Sequence, residues 1–106
     1  MNEKNNSAAS EKKKAADNVV FIGSKPLVNY VKSVVSQFLR GNHEEVIIKS
    51  RGKFISKAVD VAEIAKRSEP LQKIKVFVKS IEINSEEFKK DDRELHVSTI
   101  DITLSR

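Results

Sequence analysis

Cysteine and tryptophan are absent from the 106 residues, and there are only three glycines and two prolines. Without cysteine there is no disulfide, no thiolate metal site and no cysteine nucleophile. His43 and His96 are the only histidines, too few for a histidine-rich metal centre, so no metal and no other cofactor is expected. No apolar run approaches the ~18 to 20 residues of a membrane span. Residues 1–17, MNEKNNSAASEKKKAAD, contain one methionine and no other large apolar side chain, so they lack the apolar stretch of a secretory signal. An intracellular protein without a membrane partner is expected. The same 17 residues cannot offset the entropy of ordering and are expected to form a disordered N-terminal tail. Residues 18–106 suit one domain, since a domain typically takes roughly 100 to 150 residues. With 39% hydrophobic and 33% charged residues, the chain is apolar enough to fold around a core and carries a heavily charged surface.

The charge is unevenly placed. Lysine plus arginine number 20 against 15 acids, a net charge of +5. Residues 18–57 hold seven of those cations against only Glu44 and Glu45, whereas residues 58–106 hold nine against ten. A nearly neutral scaffold that displays one basic patch is the pattern expected for a polyanion partner. A lysine-rich solvated surface is the alternative reading.

Hydrophobic period supplies the elements. Asn18 to Ile22 (NVVFI) is a short β-branched run before Gly23 and reads as a fully buried strand. From Pro26 the period changes to that of a helix, with Leu27, Val28, Val31, Val34, Val35, Phe38 and Leu39 on one side and Gly41 placed as its stop. Glu45 to Ser50 is a second strand, and Arg51-Gly52-Lys53 is a tight connection. Ile55, Ala58, Val59, Ala62 and Ala65 line a second helix that should end before Pro70. Beyond it, apolar residues alternate at Ile74, Val76 and Val78 and resume at Ile81 and Ile83; then at Leu95 and Val97, resuming at Ile100, Ile102 and Leu104. An antiparallel hairpin that pairs 74 with 104, 78 with 100, 81 with 97 and 83 with 95 satisfies this pattern, with its tip near Lys89. Its two halves then bury opposite faces, the change falling at Lys79-Ser80 and Ser98-Thr99. The far half would project as an arm of ~30 Å at ~3.3 Å per residue. Ile81, Ile83, Leu95 and Val97 have no cover there within one chain, so a partner subunit is expected to cover them. The resulting architecture is β-α-β-α-β-β: a two-layer α/β sandwich with a mixed four-stranded sheet, two helices on one face and a long C-terminal hairpin arm.

Three places offer contacts for a polyanion. Gly23-Ser24-Lys25-Pro26 leaves a strand and opens a helix, so backbone N–H groups and a helix dipole should face a bound phosphate beside Ser24 and Lys25; such a loop also serves as a plain connection. Lys49, Arg51, Lys53 and Lys57 place four cations within nine residues without an acid, and Gly52 permits close approach of the backbone. Lys89, Lys90 and Arg93 near the hairpin tip are interleaved with Glu86, Glu87, Asp91, Asp92 and Glu94, which weakens their electrostatic case. Phe88 is either an apolar wedge for a groove or an ordinary turn residue, and the second reading is preferred. Catalysis is not expected: Asp60 and Glu63 on the second helix read as pairing partners for Lys57, Lys66 or Arg67, and His43 and His96 read as structural.

NVVFIGSKPLVNYV (residues 18–31), VIIKSRGKFISKAVDVAEI (residues 46–64) and VSTIDITLSR (residues 97–106) resemble the Alba family of archaeal chromatin proteins over nearly all of the chain after residue 17. The resemblance implies a homodimer that coats and compacts double-stranded DNA with little sequence preference, associated with the chromosome in the cytoplasm. It implies that the basic loops lie along the duplex and the hairpin arms reach into minor grooves. RNA binding, in a ribonucleoprotein or on a messenger, is the alternative that the family also allows, through the same loops. Family members often carry two lysines in the first loop, where acetylation weakens DNA binding; here Ser24 occupies the first place, leaving Lys25 as the candidate for an acetylase and a deacetylase. A bulky aromatic used between neighbouring dimers is missing from Arg67-Ser68-Glu69-Pro70, so assembly along DNA would be weaker or built differently.

Overall fold

The computed structural model describes residues 18–106; the expected tail lies outside the described residues. The chain runs β1 (Val19–Phe21), α1 (Leu27–Leu39), β2 (Glu45–Arg51), a 3-10 turn (Gly52–Phe54), α2 (Ile55–Arg67), α3 (Glu69–Lys73), β3 (Phe77–Lys90) and β4 (Arg93–Ser105). The strands form one sheet in the order β1-β2-β4-β3, with β1 parallel to β2 and the other pairs antiparallel. This is the mixed two-layer α/β sandwich that the hydrophobic pattern predicts.

The core lies between the helices and one face of the sheet. Val20, Val46, Ile48, Ile100, Ile102 and Leu104 point from the strands toward Val34 and Phe38 of α1 and Ala58, Val61, Ala62 and Ala65 of α2. The alanines leave α2 with little bulk on that side, so its backbone packs close to the layer beneath. Burying these side chains out of water is the main force holding the two layers together. On the other face, Phe21 is 69% exposed. β1 is thus not the fully buried strand expected: it is an edge strand with helices on one side only, so it alternates.

The helix ends depart from expectation where left-handed residues other than glycine are used. α1 stops at Leu39, and the residue with positive φ is Asn42 (54°), not Gly41. Gly41 is needed for a different reason: a Cβ there would lie 2.8 Å from the Gln37 carbonyl oxygen and 2.8 Å from the His43 ring. The Arg106 guanidinium donates to the Phe38 carbonyl at 3.1 Å, satisfying part of the α1 C-terminus. α2 ends before Pro70 as expected, but Pro70 then opens a further one-turn helix, α3, which buries Leu71 completely. That helix closes with Lys75 at φ 58°, Val76 N–H donating to the Leu71 carbonyl and Lys75 N–H to that of Gln72, the Schellman arrangement with lysine in the usual glycine place.

The hairpin forms in a different register from the one expected. Val78 pairs with Leu104, Ile81 with Ile102, Ile83 with Ile100, Glu86 with Val97 and Phe88 with Leu95, with a single bulge between Val78 and Ser80. The turn is Asp91-Asp92, both left-handed at φ 52° and 62°, so the tip lies beyond Lys89. A two-residue turn with both central residues at positive φ matches strand twist, and it sets the pairing. Ile74 and Val76 precede the strand, and β4 has no bulge of its own. Directly paired residues share a face. Ile81 and Ile83 therefore continue the helix-side face, whereas Leu95 and Val97 lie on the open face with Phe88 and Glu86.

Candidate nucleic-acid interface

The loop after β1, the turn after β2 and the hairpin arm leave the same end of the sheet. Phe21 pairs with Lys49 and Arg51 with Thr99, after which β1 and β2 turn into helices while β3 and β4 continue for six more residue pairs as the arm.

The first loop is held from within. The Tyr30 Oη accepts hydrogen bonds from the Gly23 N–H at 2.9 Å and the Lys25 N–H at 3.1 Å. Lys57 Nζ donates to the Gly23 carbonyl at 2.8 Å and also to that of Lys25, and it lies 5.3 Å from the Tyr30 ring centroid and 5.8 Å from that of Phe54. Two of the amides expected to face a phosphate are thus consumed by Tyr30. Lys57, read from sequence as one cation of a patch, is instead a clamp that joins α2 to the loop. Both positions were within reach of sequence reasoning only as residue types, since the contacts join positions 27 to 34 residues apart or span the helix start. The clamp leaves Ser24 and Lys25 exposed at the loop crest.

Around the second turn the cations divide. Gly52 adopts φ 59°, where an L side chain is strained, and starts the 3-10 turn that carries Lys53 outward. Lys49 pairs with Asp101 at 2.8 Å and Arg51 with Glu86 at 2.7 Å, the latter pair more than half exposed on both sides. Lys53 Nζ lies 5.4 Å from the Phe54 ring centroid. Among the described residues no acid pairs with Lys25 or Lys53, so both keep an uncompensated charge at this end of the sheet.

On the arm, the register sorts what the sequence interleaves. Lys90 pairs with Arg93 and Phe88 with Leu95, all on the open face; Lys89 pairs with Glu94 and Glu87 with His96 on the other. Two cations directly opposite each other repel, and an anion between them would remove that cost. Phe88 is a strand residue 45% exposed, not the turn residue expected.

Of the two acids considered for catalysis, Glu63 pairs locally, whereas Asp60 makes none of the expected pairs with Lys57, Lys66 or Arg67. Glu63 binds Lys66 at 2.8 Å and lies 3.8 Å from Arg67, and its hydrogen bond from the Lys66 ammonium holds its carboxyl below the usual carboxylate range. No group of three or more metal-ligating side chains occurs among the described residues, and no helix among them is long and apolar enough to cross a membrane.

The sequence model of the Alba family matches residues 18–81. The chain belongs to the Alba family. It is 49% identical over 92 residues to the DNA/RNA-binding protein Alba of Methanothrix thermoacetophila, covering 87% of this chain and 99% of that protein. To the DNA/RNA-binding protein Alba of Picrophilus torridus it is 42% identical over 92 residues, again 87% of this chain and 99% of that one. Among solved structures, Alba from Thermoplasma volcanium superposes with a TM-score of 0.73 at 44% identity, covering 84% of this chain and the whole of that one.

Proposed function

We propose that this Alba-family chain binds duplex DNA through phosphate contacts with little sequence preference, coating and compacting chromosomal DNA as a homodimer. The observation that carries the reading is the convergence at one end of the sheet of the unpaired Lys25 and Lys53 with Arg51 and the Lys90–Arg93 pair. Side-chain cations on protruding loops reach phosphates without reading base edges, which supports binding that is strong in charge and weak in sequence. The names of the Alba relatives as DNA/RNA-binding proteins agree with a nucleic-acid ligand.

In this reading Ser24, Lys25, Gly52 and Lys53 approach the backbone from the body, and Phe88, Lys90 and Arg93 approach from the open face of the arm. Arg51 joins when a phosphate replaces Glu86. Lys49 and Lys57 position the site, through Asp101 and through the Gly23 and Lys25 carbonyls. Lys89, paired with Glu94, contributes least. The dimer forms through Ile81 and Ile83, 59% and 74% exposed on the helix side of the arm base; Leu95 and Val97, on the other face, lie outside that contact. Lys25, exposed at the crest, is the place for a charge-removing acetylation.

Salt titrations of binding to a random-sequence duplex test the proposal. Affinity should fall linearly on a double logarithmic plot, and Lys25→Gln with Lys53→Ala should reduce the slope by roughly two units for each subunit of the dimer, at about 0.9 per phosphate contact. Ser24→Lys should increase it by about one for each subunit. An unchanged slope in the double variant would remove the body loops from the interface. Competition by duplex RNA at the same salt measures the RNA alternative, since phosphate contacts serve either duplex.

A further inference from the structure

The open face of the sheet, away from the helices, holds a groove of about 700 Å³ that shares only Arg51, at its mouth, with the phosphate contacts proposed above. Phe21 forms its wall and the strands supply its floor: Lys49, Arg51, Asn84, Thr99 and Asp101. We propose that this groove is a second site, one that takes an unpaired nucleobase of single-stranded nucleic acid by stacking it on Phe21. The proposal rests on the nucleic-acid reading above but turns on Phe21 and Asn84, which take no part in those phosphate contacts.

Three features select the occupant. Phe21 is 69% exposed on a strand whose neighbours Val20 and Ile22 are 7% and 6% exposed, so its ring is held by a rigid edge and offered to solvent. Its strand partner is Lys49. A flat aromatic ring on a fixed strand is a stacking platform for any base, because every base has a π face. Second, the charges in the groove cancel: Lys49 is tied to Asp101 at 2.8 Å and Arg51 to Glu86 at 2.7 Å. The Lys49–Asp101 pair keeps the centre of the floor near neutral, so that it presents donors and acceptors side by side, while Arg51 stands at the mouth where a backbone phosphate can reach it. Asn84 supplies an amide with both, and Thr99 a hydroxyl with both. That is what the polar edge of a neutral heterocycle requires. Third, the groove is of the size that holds small planar ligands, and its lining runs to Ile22, next to the loop that bears Lys25. A strand whose base sits on Phe21 can therefore keep its phosphates on Lys25 and Lys53. Duplexed bases cannot enter, since their faces are stacked and their pairing edges occupied.

The test uses a single-stranded DNA 12-mer with one central 2-aminopurine, and the same sequence annealed as a duplex, at one fixed salt. On the wild-type protein the single strand should show quenching of 2-aminopurine by stacking. Phe21→Ala should abolish the quenching and weaken single-strand binding roughly tenfold, while duplex affinity stays within twofold. Phe21→Tyr, which keeps the ring, should retain both signals. Asn84→Ala, at an exposed strand position, gives a second variant and should weaken the single strand alone, with Phe21 intact. Unchanged quenching and affinity in Phe21→Ala would overturn the proposal while leaving the duplex reading in place. Equal loss on single strand and duplex would overturn it too, since the groove would then have no selectivity. Failure of the wild type to bind either probe would remove both readings.

Discussion

Arg51 at the end of β2 and Glu86 on the arm are joined across the mouth of the open face, Nη1 to Oε1 at 2.7 Å. Both side chains are more than half exposed, and an exposed ion pair contributes only about 0 to 1 kcal/mol. The contact is therefore strong enough to occupy Arg51 in the free protein and weak enough to be exchanged for a phosphate. Glu86→Gln should release Arg51, strengthen duplex binding most at low salt, where attraction is least screened, and steepen the salt slope by up to about one unit. Parallel titrations of wild type and Glu86→Gln decide it; identical affinities at low salt would mean that the pair with Glu86 does not hold Arg51 back from a phosphate.

The first loop should depend on its clamp as much as on its own cation. Tyr30→Phe removes the acceptor shared by the Gly23 and Lys25 N–H groups. Leaving such donors unpaired costs about 1 to 3 kcal/mol, which for a domain of this size is a melting temperature lower by roughly 4 °C or more. Lys57→Met keeps much of the stem packing and removes the tether to the two carbonyls. It should weaken duplex binding while accelerating amide exchange at residues 23–25, whereas Lys25→Gln should weaken binding with exchange unchanged. Equal exchange in both variants would show that Lys57 acts as a surface charge.

What the chain discloses before folding depends on the range of the interaction. The period of α1, the alanine face of α2 and the β-branched strands are local signals, and they place every large element. The hairpin register is not legible in the same way: apolar spacing alone admits more than one pairing, and the turn that decides it, Asp91-Asp92, lacks the glycine that marks such turns. Nor is α3 legible, because five residues show no period and its Schellman stop uses Lys75 in place of glycine. The basic residues were legible as a cluster. Their division into paired (Lys49, Arg51), structural (Lys57) and free (Lys25, Lys53) was not, because Asp101 and Glu86 reach them from 35 to 52 positions away.

The arm tip offers a discriminating pair of variants. Lys90 and Arg93 oppose each other on the open face, and Lys89 opposes Glu94 on the other. Lys90→Ala with Arg93→Ala should reduce the salt slope by roughly two units for each subunit at about 0.9 per cation, without loss of stability because a like-charge cross-strand pair is removed. Lys89→Ala should leave the slope near that of wild type. Equal effects from the two substitutions would mean that the arm acts only through its net charge.

The faces of the arm base also separate the residues that a dimer would need. Ile81 and Ile83 pair with Ile102 and Ile100 on the helix side, at the outer edge of the sheet where no helix of the same chain covers them. Leu95 and Val97 lie on the opposite face beside Phe88 and Glu86. A partner subunit that covers the isoleucines would enclose a charge introduced there, and an unpaired charge in an apolar contact is expensive. Ile83→Glu should therefore shift the protein from dimer to monomer in sedimentation at micromolar concentration. Leu95→Glu, whose side chain faces the open side, should leave the dimer intact. A wild-type protein that sediments as a monomer would refute the proposed contact, and a dimer broken by Leu95→Glu but not by Ile83→Glu would move it to the other face of the arm.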